Sequence, residues 1–307
     1  MNYEDNLEET ETPFPLTDAT DNAILMHREV HFGGKFDLMI EYYESEGRGV
    51  VQEFDINRIR ELNLIESKMK QDLAPLLLSG AEAEKIAEAK QIYQQLKTLY
   101  KGPDSPSKKF PKLIADLILA EEEDVDTAVE GIVTEKGAIV PILIDLVRSE
   151  NFHDPLFPGY GLAPILATKC LGLIGDKRAI IALFESIGEN DFIADDFALE
   201  ALKNIGEPAK TFLLKVLHAR PLTFDNERAA MALMGFKDDP EVVHKSLEML
   251  KTLDLKKDFV LATDLILICE GLTDKEERKE FAALQHQQGI PTMIKKDIQA
   301  IVKSWES

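Results

Sequence analysis

The chain has 307 residues, with 35 Lys+Arg against 56 Asp+Glu, a formal net charge of −21; 45% of residues are hydrophobic and 30% charged. That balance belongs to a globular chain and not to a wholly disordered one, and the length fits about two domains or one elongated repeat array. The charge opposes a general affinity for nucleic acid or anionic membranes, because phosphate binding depends on Lys and Arg.

Residues 1–22 read as a disordered acidic tail. Glu4, Asp5, Glu8, Glu9, Glu11, Asp18 and Asp21 occur there without Lys or Arg, Pro13 and Pro15 interrupt it, and no apolar period runs through it. Such a segment buries too little surface to offset its ordering entropy. A signal peptide would open with basic residues and an apolar core, and this chain opens with acid. No apolar run reaches the ~18–20 residues of a spanning helix; Asp145 and Asp264 interrupt the two best candidates. With no Asn-x-Ser/Thr acceptor, and with Cys170 and Cys269 isolated in apolar stretches, the expectation is a cytoplasmic protein with reduced core thiols and no membrane insertion.

From residue 23 to 107 the pattern predicts an N-terminal helical module. Ile59, Leu62, Ile65, Met69 and Leu73 recur at three- and four-residue steps, as do Ile86, Ala89, Tyr93, Leu96 and Tyr100. Ser79-Gly80-Ala81-Glu82 reads as the capping box that opens the second of these helices. Gly102-Pro103-Asp104-Ser105-Pro106-Ser107 stops it and forms the expected linker. One short strand is expected near Val50–Phe54. His27 and His31 are four apart, share a helix face and form a candidate pair of metal ligands, with Asp37 or Glu41 as a third; a structural or capping role is the alternative. The spacing is not that of the zincins, and Gly33-Gly34-Lys35 lacks the phosphate-loop pattern, with Phe36 where a hydroxyl would stand.

Residues 108–307 repeat. Leu166-Ala167-Thr168-Lys169-Cys170-Leu171-Gly172-Leu173-Ile174-Gly175-Asp176 aligns with Phe197-Ala198-Leu199-Glu200-Ala201-Leu202-Lys203-Asn204-Ile205-Gly206-Glu207 at a step of 206 − 175 = 31. A third copy places Ala229, Ala232, Leu233 and Phe236 in register, with Lys237 where the glycine would be. Weaker copies start near Val129 and Val260. Each unit reads as helix, glycine turn, helix, with alanines allowing close approach of neighbours and glycine supplying a left-handed C-cap. One such unit cannot cover its apolar face, and stacked units can. After Ile290-Pro291, the stripe Ile294, Ile298, Ile301, Val302 and Trp305 fits a C-terminal capping helix.

The run A-x-x-A/C-L-x-x-I-G-D/E followed by an apolar helix resembles HEAT-like repeats of the phycobilisome-lyase type over roughly residues 112–290. The resemblance implies an all-α, armadillo-like chain, an alpha-solenoid of about five helix pairs. Its relatives include scaffolds, chromophore lyases and a metal-dependent hydroxylase. The hydroxylases hold two irons through His-Glu dipeptides in successive repeats, and no His-Glu dipeptide occurs here. No pattern supports chromophore handling either, and no cofactor is expected.

Lys177, Lys210, Lys215 and Lys245 fall on expected second helices, which in such arrays line the concave face; an ordinary mixed-charge surface is the alternative. The insertion from Glu150 to Gly161 adds Phe152, Phe157 and Tyr160 with two prolines and two glycines, an ordered loop whose aromatics either plug a gap between units or meet a partner. The expected function is a non-enzymatic scaffold or adaptor holding another protein through Phe157, Tyr160, Lys177, Lys210, Lys215 and Lys245. The alternatives are a lyase- or hydroxylase-type enzyme with a metal site at His27 and His31, and, weakest, a nucleic-acid-binding HEAT protein.

Overall fold

The computed structural model describes residues 18–189 and 192–306, all-helical with no strand among them. In chain order the helices are α1 (Ala19–His31), α2 (Phe36–Glu44), α3 (Ile56–Met69), α4 (Ala74–Leu77), α5 (Gly80–Thr98), α6 (Lys109–Leu119), α7 (Val125–Val133), α8 (Val140–Val147) and α9 (Glu150–His153). They continue with α10 (Ala163–Ile174), α11 (Ile180–Ser186), α12 (Phe192–Ile205), α13 (Glu207–Leu217), α14 (Phe224–Leu233), α15 (Pro240–Leu250), α16 (Phe259–Cys269), α17 (Lys275–Ala283) and α18 (Thr292–Ser304). Among the described residues no helix is long and apolar enough to cross a membrane.

The chain divides into two compact units. The first comprises the described residues up to Val125 together with Glu150–Leu162. The expected boundary at 107 therefore shifts: α6 belongs to the first unit, and the Gly102–Ser107 linker joins two of its helices. Of the expected tail, residues 1–17 lie outside the described residues. Residues 18–22 begin α1 instead, because Asp18 accepts from the Thr20 and Asp21 amides and the buried Asp21 carboxylate takes a fork of two hydrogen bonds from Arg58, at 2.8 and 2.6 Å.

α1 carries the unit's core on two faces. Ile24 and Leu25 pack with Phe36, Met39 and Tyr43 of α2, Ile59 and Leu62 of α3, and Leu73. Val30 packs with Ile86 and Ala89 of α5 and with Leu156 and Phe157. The α5 capping box forms as expected, Ser79 and Glu82 satisfying each other's amides. Arg28 of α1 is fully buried; its guanidinium reaches Glu66 at 2.6 Å, Asp72 at 2.7 Å and Glu29 at 2.9 Å, and stacks 4.5 Å from the Phe36 ring centroid. The strand expected over Val50–Phe54 is absent. That segment has no strand to pair with, turns through a Phe54 N–H to Val51 carbonyl bond, and gives its Val51 amide to the Tyr43 hydroxyl.

The second unit comprises Asp126–Ser149 and the chain from Ala163 onward. α10, α12, α14 and α16 pack side by side in that order. They run parallel. Near their C-terminal ends Gly172 of α10 meets Ala201 of α12 so closely that a Cβ would stand 2.7 Å from the Ala201 Cα, and Gly235 just after α14 faces Lys203 of α12. At the other end Arg228 in α14 donates to the Ile187 carbonyl that precedes α12. Ala167, Ala198 and Ala229 are buried. Gly175 and Gly206 have φ of +67° and +77°, the left-handed backbone that lets each first helix stop.

Three aspartates cap the helices that follow the stacked ones. Asp176, Asp239 and Asp274 accept amide hydrogens at the turns opening into α11, α15 and α17. α18 buries Ile294, Ile298 and Ile301, while the Trp305 indole donates to the Glu270 carbonyl at 2.9 Å. Cys170 and Cys269 are buried free thiols; burial pushes the Cys170 thiol up to about 12.

Candidate functional site

The first unit gathers His27, His31 and Tyr160, residues that the sequence placed in separate hypotheses. The His27 and His31 ring centroids are 4.3 Å apart, and the Tyr160 ring lies 4.7 Å from His31. Tyr160 adopts φ +58° between Gly159 and Gly161, both also left-handed, and its ring closes over Gly49, where any side chain would collide with it. A residue with a Cβ holds this backbone only when its surroundings over-determine it.

The hydrogen bonds settle the His31 tautomer. Its Nε2 lies 3.0 Å from the Pro155 carbonyl oxygen, which only accepts, so Nε2 carries the proton. Nδ1 then accepts from the Tyr93 hydroxyl at 2.9 Å. The Tyr42 hydroxyl accepts the Gly49 amide at 3.0 Å and donates to Glu121 at 3.4 Å. A polar cavity of about 350 Å³ opens on this cluster, lined among others by His31, Lys90, Tyr93, Lys97, Glu121 and Tyr160.

Burial, reinforced by His31, lowers His27 to about 3, with the Gly49 backbone opposing. Burial likewise lowers His31 to about 4 against the Pro155 carbonyl, and raises Tyr93 and Tyr160 above their ordinary value. All four groups are neutral near pH 7. A general acid or base works best with a pKa near the operating pH, so this centre is built for packing and hydrogen bonding more than for proton transfer. Among the described residues no group of three His, Cys, Asp or Glu side chains could hold a metal ion. Asp37, considered as a third ligand, instead accepts from Asn63 at 3.2 Å.

A histidine depressed in the folded state stabilises it above its unfolded pKa, near 6.5, and that contribution is lost as pH falls toward the folded value. At about 1.4 kcal/mol per unit, protonating His27 costs the first unit on the order of 3 kcal/mol by pH 4. Denaturant melts followed by tyrosine near-UV circular dichroism should show this loss, with a comparable one from His31, between pH 6.5 and 4, and His27→Leu should remove about half of the total. Parallel pH profiles for the two proteins would contradict the assignment.

The other sequence candidates separate. Phe157 is 2% exposed, packed among Val30, Ile86, Ala89 and Leu156, so it is a core plug of the first unit and not the exposed anchor expected. Tyr160 is half-buried on His31. In the second unit Lys210 is 7% exposed, contrary to its expected place on an open face, because Asp239 and Glu207 at 2.9 Å and Glu241 at 3.2 Å enclose its ammonium. Its pKa is raised, first by Asp239 and then by Glu207. Lys245 pairs with Glu248 at 2.8 Å and is half-buried; Lys177, in the turn before α11, and Lys215 are exposed.

Sequence reasoning missed a row of exposed apolar residues in the second unit. Phe192, Phe224 and Phe259 each stand first in α12, α14 and α16, and are 90%, 48% and 37% exposed. Ile193 and Val260 extend the row. Because these helices lie parallel and adjacent, the row runs along one edge. The Arg228 guanidinium stacks on Phe224 at 4.6 Å, with its charge matched by Glu189 and Asp225. Glu189, Asp196 and Asp225 are exposed beside the row, and Asp258 precedes Phe259; Lys256 and Lys257 are the basic neighbours at that end. Further along, burial and then the Glu227 charge push the Asp264 carboxyl up to about 6. The repeat itself held the signal: steps of 224 − 192 = 32 and 259 − 224 = 35 place an aromatic at the start of each first helix.

No protein-family model matches the chain, and neither a curated protein nor a solved structure does.

Proposed function

We propose that this chain is a non-enzymatic interaction scaffold whose second unit is an alpha-solenoid of HEAT-like helix pairs, and that it holds another protein along the Phe192–Phe224–Phe259 edge. The exposed aromatic row carries the reading. Side chains of this size are normally buried, and a row of exposed aromatics bordered by charge marks an interaction surface. Aromatic anchors supply most of an interface's energy, while rim charges set rate and salt sensitivity. At the Phe192–Phe224 end the exposed Glu189, Asp196 and Asp225 outnumber the one Arg228 that pairs with two of them, so the fitting partner presents there a segment that is apolar and basic. The net charge of −21 favours such a protein segment over nucleic acid.

The test compares two variants in affinity capture from the native cells, followed by binding of the captured partner in purified form. Phe192→Ser, Phe224→Ser and Phe259→Ser combined should weaken that partner by at least about 2 kcal/mol, with the Trp305 fluorescence melt close to wild type. Lys177→Glu with Lys215→Glu should leave binding within about 1 kcal/mol of wild type. Equal retention by the aromatic variant, or loss confined to the lysine variant, would refute the edge as the docking surface.

A further inference from the structure

The first unit holds a second cavity on the other side of the histidine pair, of about 440 Å³, within the size range of small-molecule sites. Its walls are Ala23 and Met26 of α1, Val51 and Phe54 of the 50–54 turn, and Pro155 and Leu156. His27 also lines it, 2% exposed, with a buried ring Nε2 that has no hydrogen-bond partner. The charged lining residues are Lys85, Asp154 and Glu53. Lys85 and Asp154 neutralise each other at 2.5 Å, and Asp154 also accepts the Leu156 amide at 2.8 Å. Glu53 is exposed and makes no ion pair among the described residues, so the lining has a net charge of −1 when its imidazole is neutral.

We propose that this cavity binds a small cationic amphiphile, an organic amine whose apolar body fills the space against Met26, Phe54 and Leu156 and whose ammonium meets Glu53. An apolar wall with one uncompensated carboxylate favours a protonated amine over an acid of the same shape, since a carboxylate ligand would face Glu53 as a like charge. The site is independent of the aromatic edge, because every residue lining it belongs to the first unit.

Saturation-transfer NMR on the full chain at pH 7, with 2-phenylethylamine and 3-phenylpropanoate as probes, tests both parts of the proposal. The amine should bind with a dissociation constant of about 1 mM, the range expected for so small a ligand, and the acid at least about tenfold more weakly. Glu53→Gln, at an exposed position, should weaken the amine about three- to tenfold. Ala23→Phe, which fills the cavity from a half-exposed site, should abolish binding with the tyrosine near-UV spectrum retained. Comparable binding of both probes, amine binding unaffected by either substitution, or no binding of the amine at about ten times the expected constant would each overturn the proposal.

Discussion

Replacing Phe157 with Ala should lower the stability of the first unit by about 3–5 kcal/mol, the cost of emptying an aromatic site in a packed core. Phe157 is 2% exposed against Val30 of α1 and Ile86 and Ala89 of α5, so its loss would detach the 150–162 segment from both helices. The His31 bond to the Pro155 carbonyl depends on that segment and should weaken with it. Two probes separate the units. The single Trp305 lies in the second unit, whereas Tyr42, Tyr43, Tyr93, Tyr100 and Tyr160 lie in the first. Denaturant melts should therefore show an early tyrosine transition with the tryptophan transition little changed. Phe157→Leu should recover most of the loss. If Phe157→Ala melts like wild type by both probes, the side chain is not holding the segment, and its burial has been misjudged.

Replacing Arg28 with Met should cost the same unit about 3–5 kcal/mol, for an electrostatic reason. The fully buried guanidinium answers carboxylates from three places: Glu29 beside it on α1, Glu66 on α3, and Asp72 in the turn before α4. Without it Glu66 and Asp72 face each other with no cation between them, and Glu29 keeps only Lys90, at 3.0 Å. Arg28→Lys should rescue only part, because one ammonium cannot reproduce a planar fork aimed at separate partners. Adding Glu66→Gln to Arg28→Met should restore some stability by removing one uncompensated charge. Additive losses in that double variant would show that the carboxylates do not sense Arg28.

Much of the helical plan was legible without coordinates, because its causes are local. The Ser79/Glu82 capping box, the glycine stops at 175 and 206, the buried alanines at 167, 198 and 229 and the Ile294/Ile298/Ile301 stripe each follow from backbone preference or from a period of three to four residues. The charge of −21 likewise argued against a phosphate-binding role from composition alone. His27 and His31 share a helix face for the same local reason, and their ring contact follows from it.

Long-range packing decided the rest. Phe157 and Tyr160 looked like exposed loop aromatics, because an insertion between repeats gives no sign of which surface it will cover. The segment returns to α5 across some seventy positions of sequence and to α1 across more than a hundred, where His31 at |i − j| = 124 receives it through the Pro155 carbonyl. Lys210 looked free because the carboxylates that enclose it include Asp239 and Glu241, near the start of a helix two elements later. The aromatic edge is the converse case. Each phenylalanine is an unremarkable first residue of its own helix, and only parallel stacking of α12, α14 and α16 brings the three into one row. Helix periodicity specifies what a segment buries, whereas the neighbour that covers it, or fails to, is set by contacts that no local window contains.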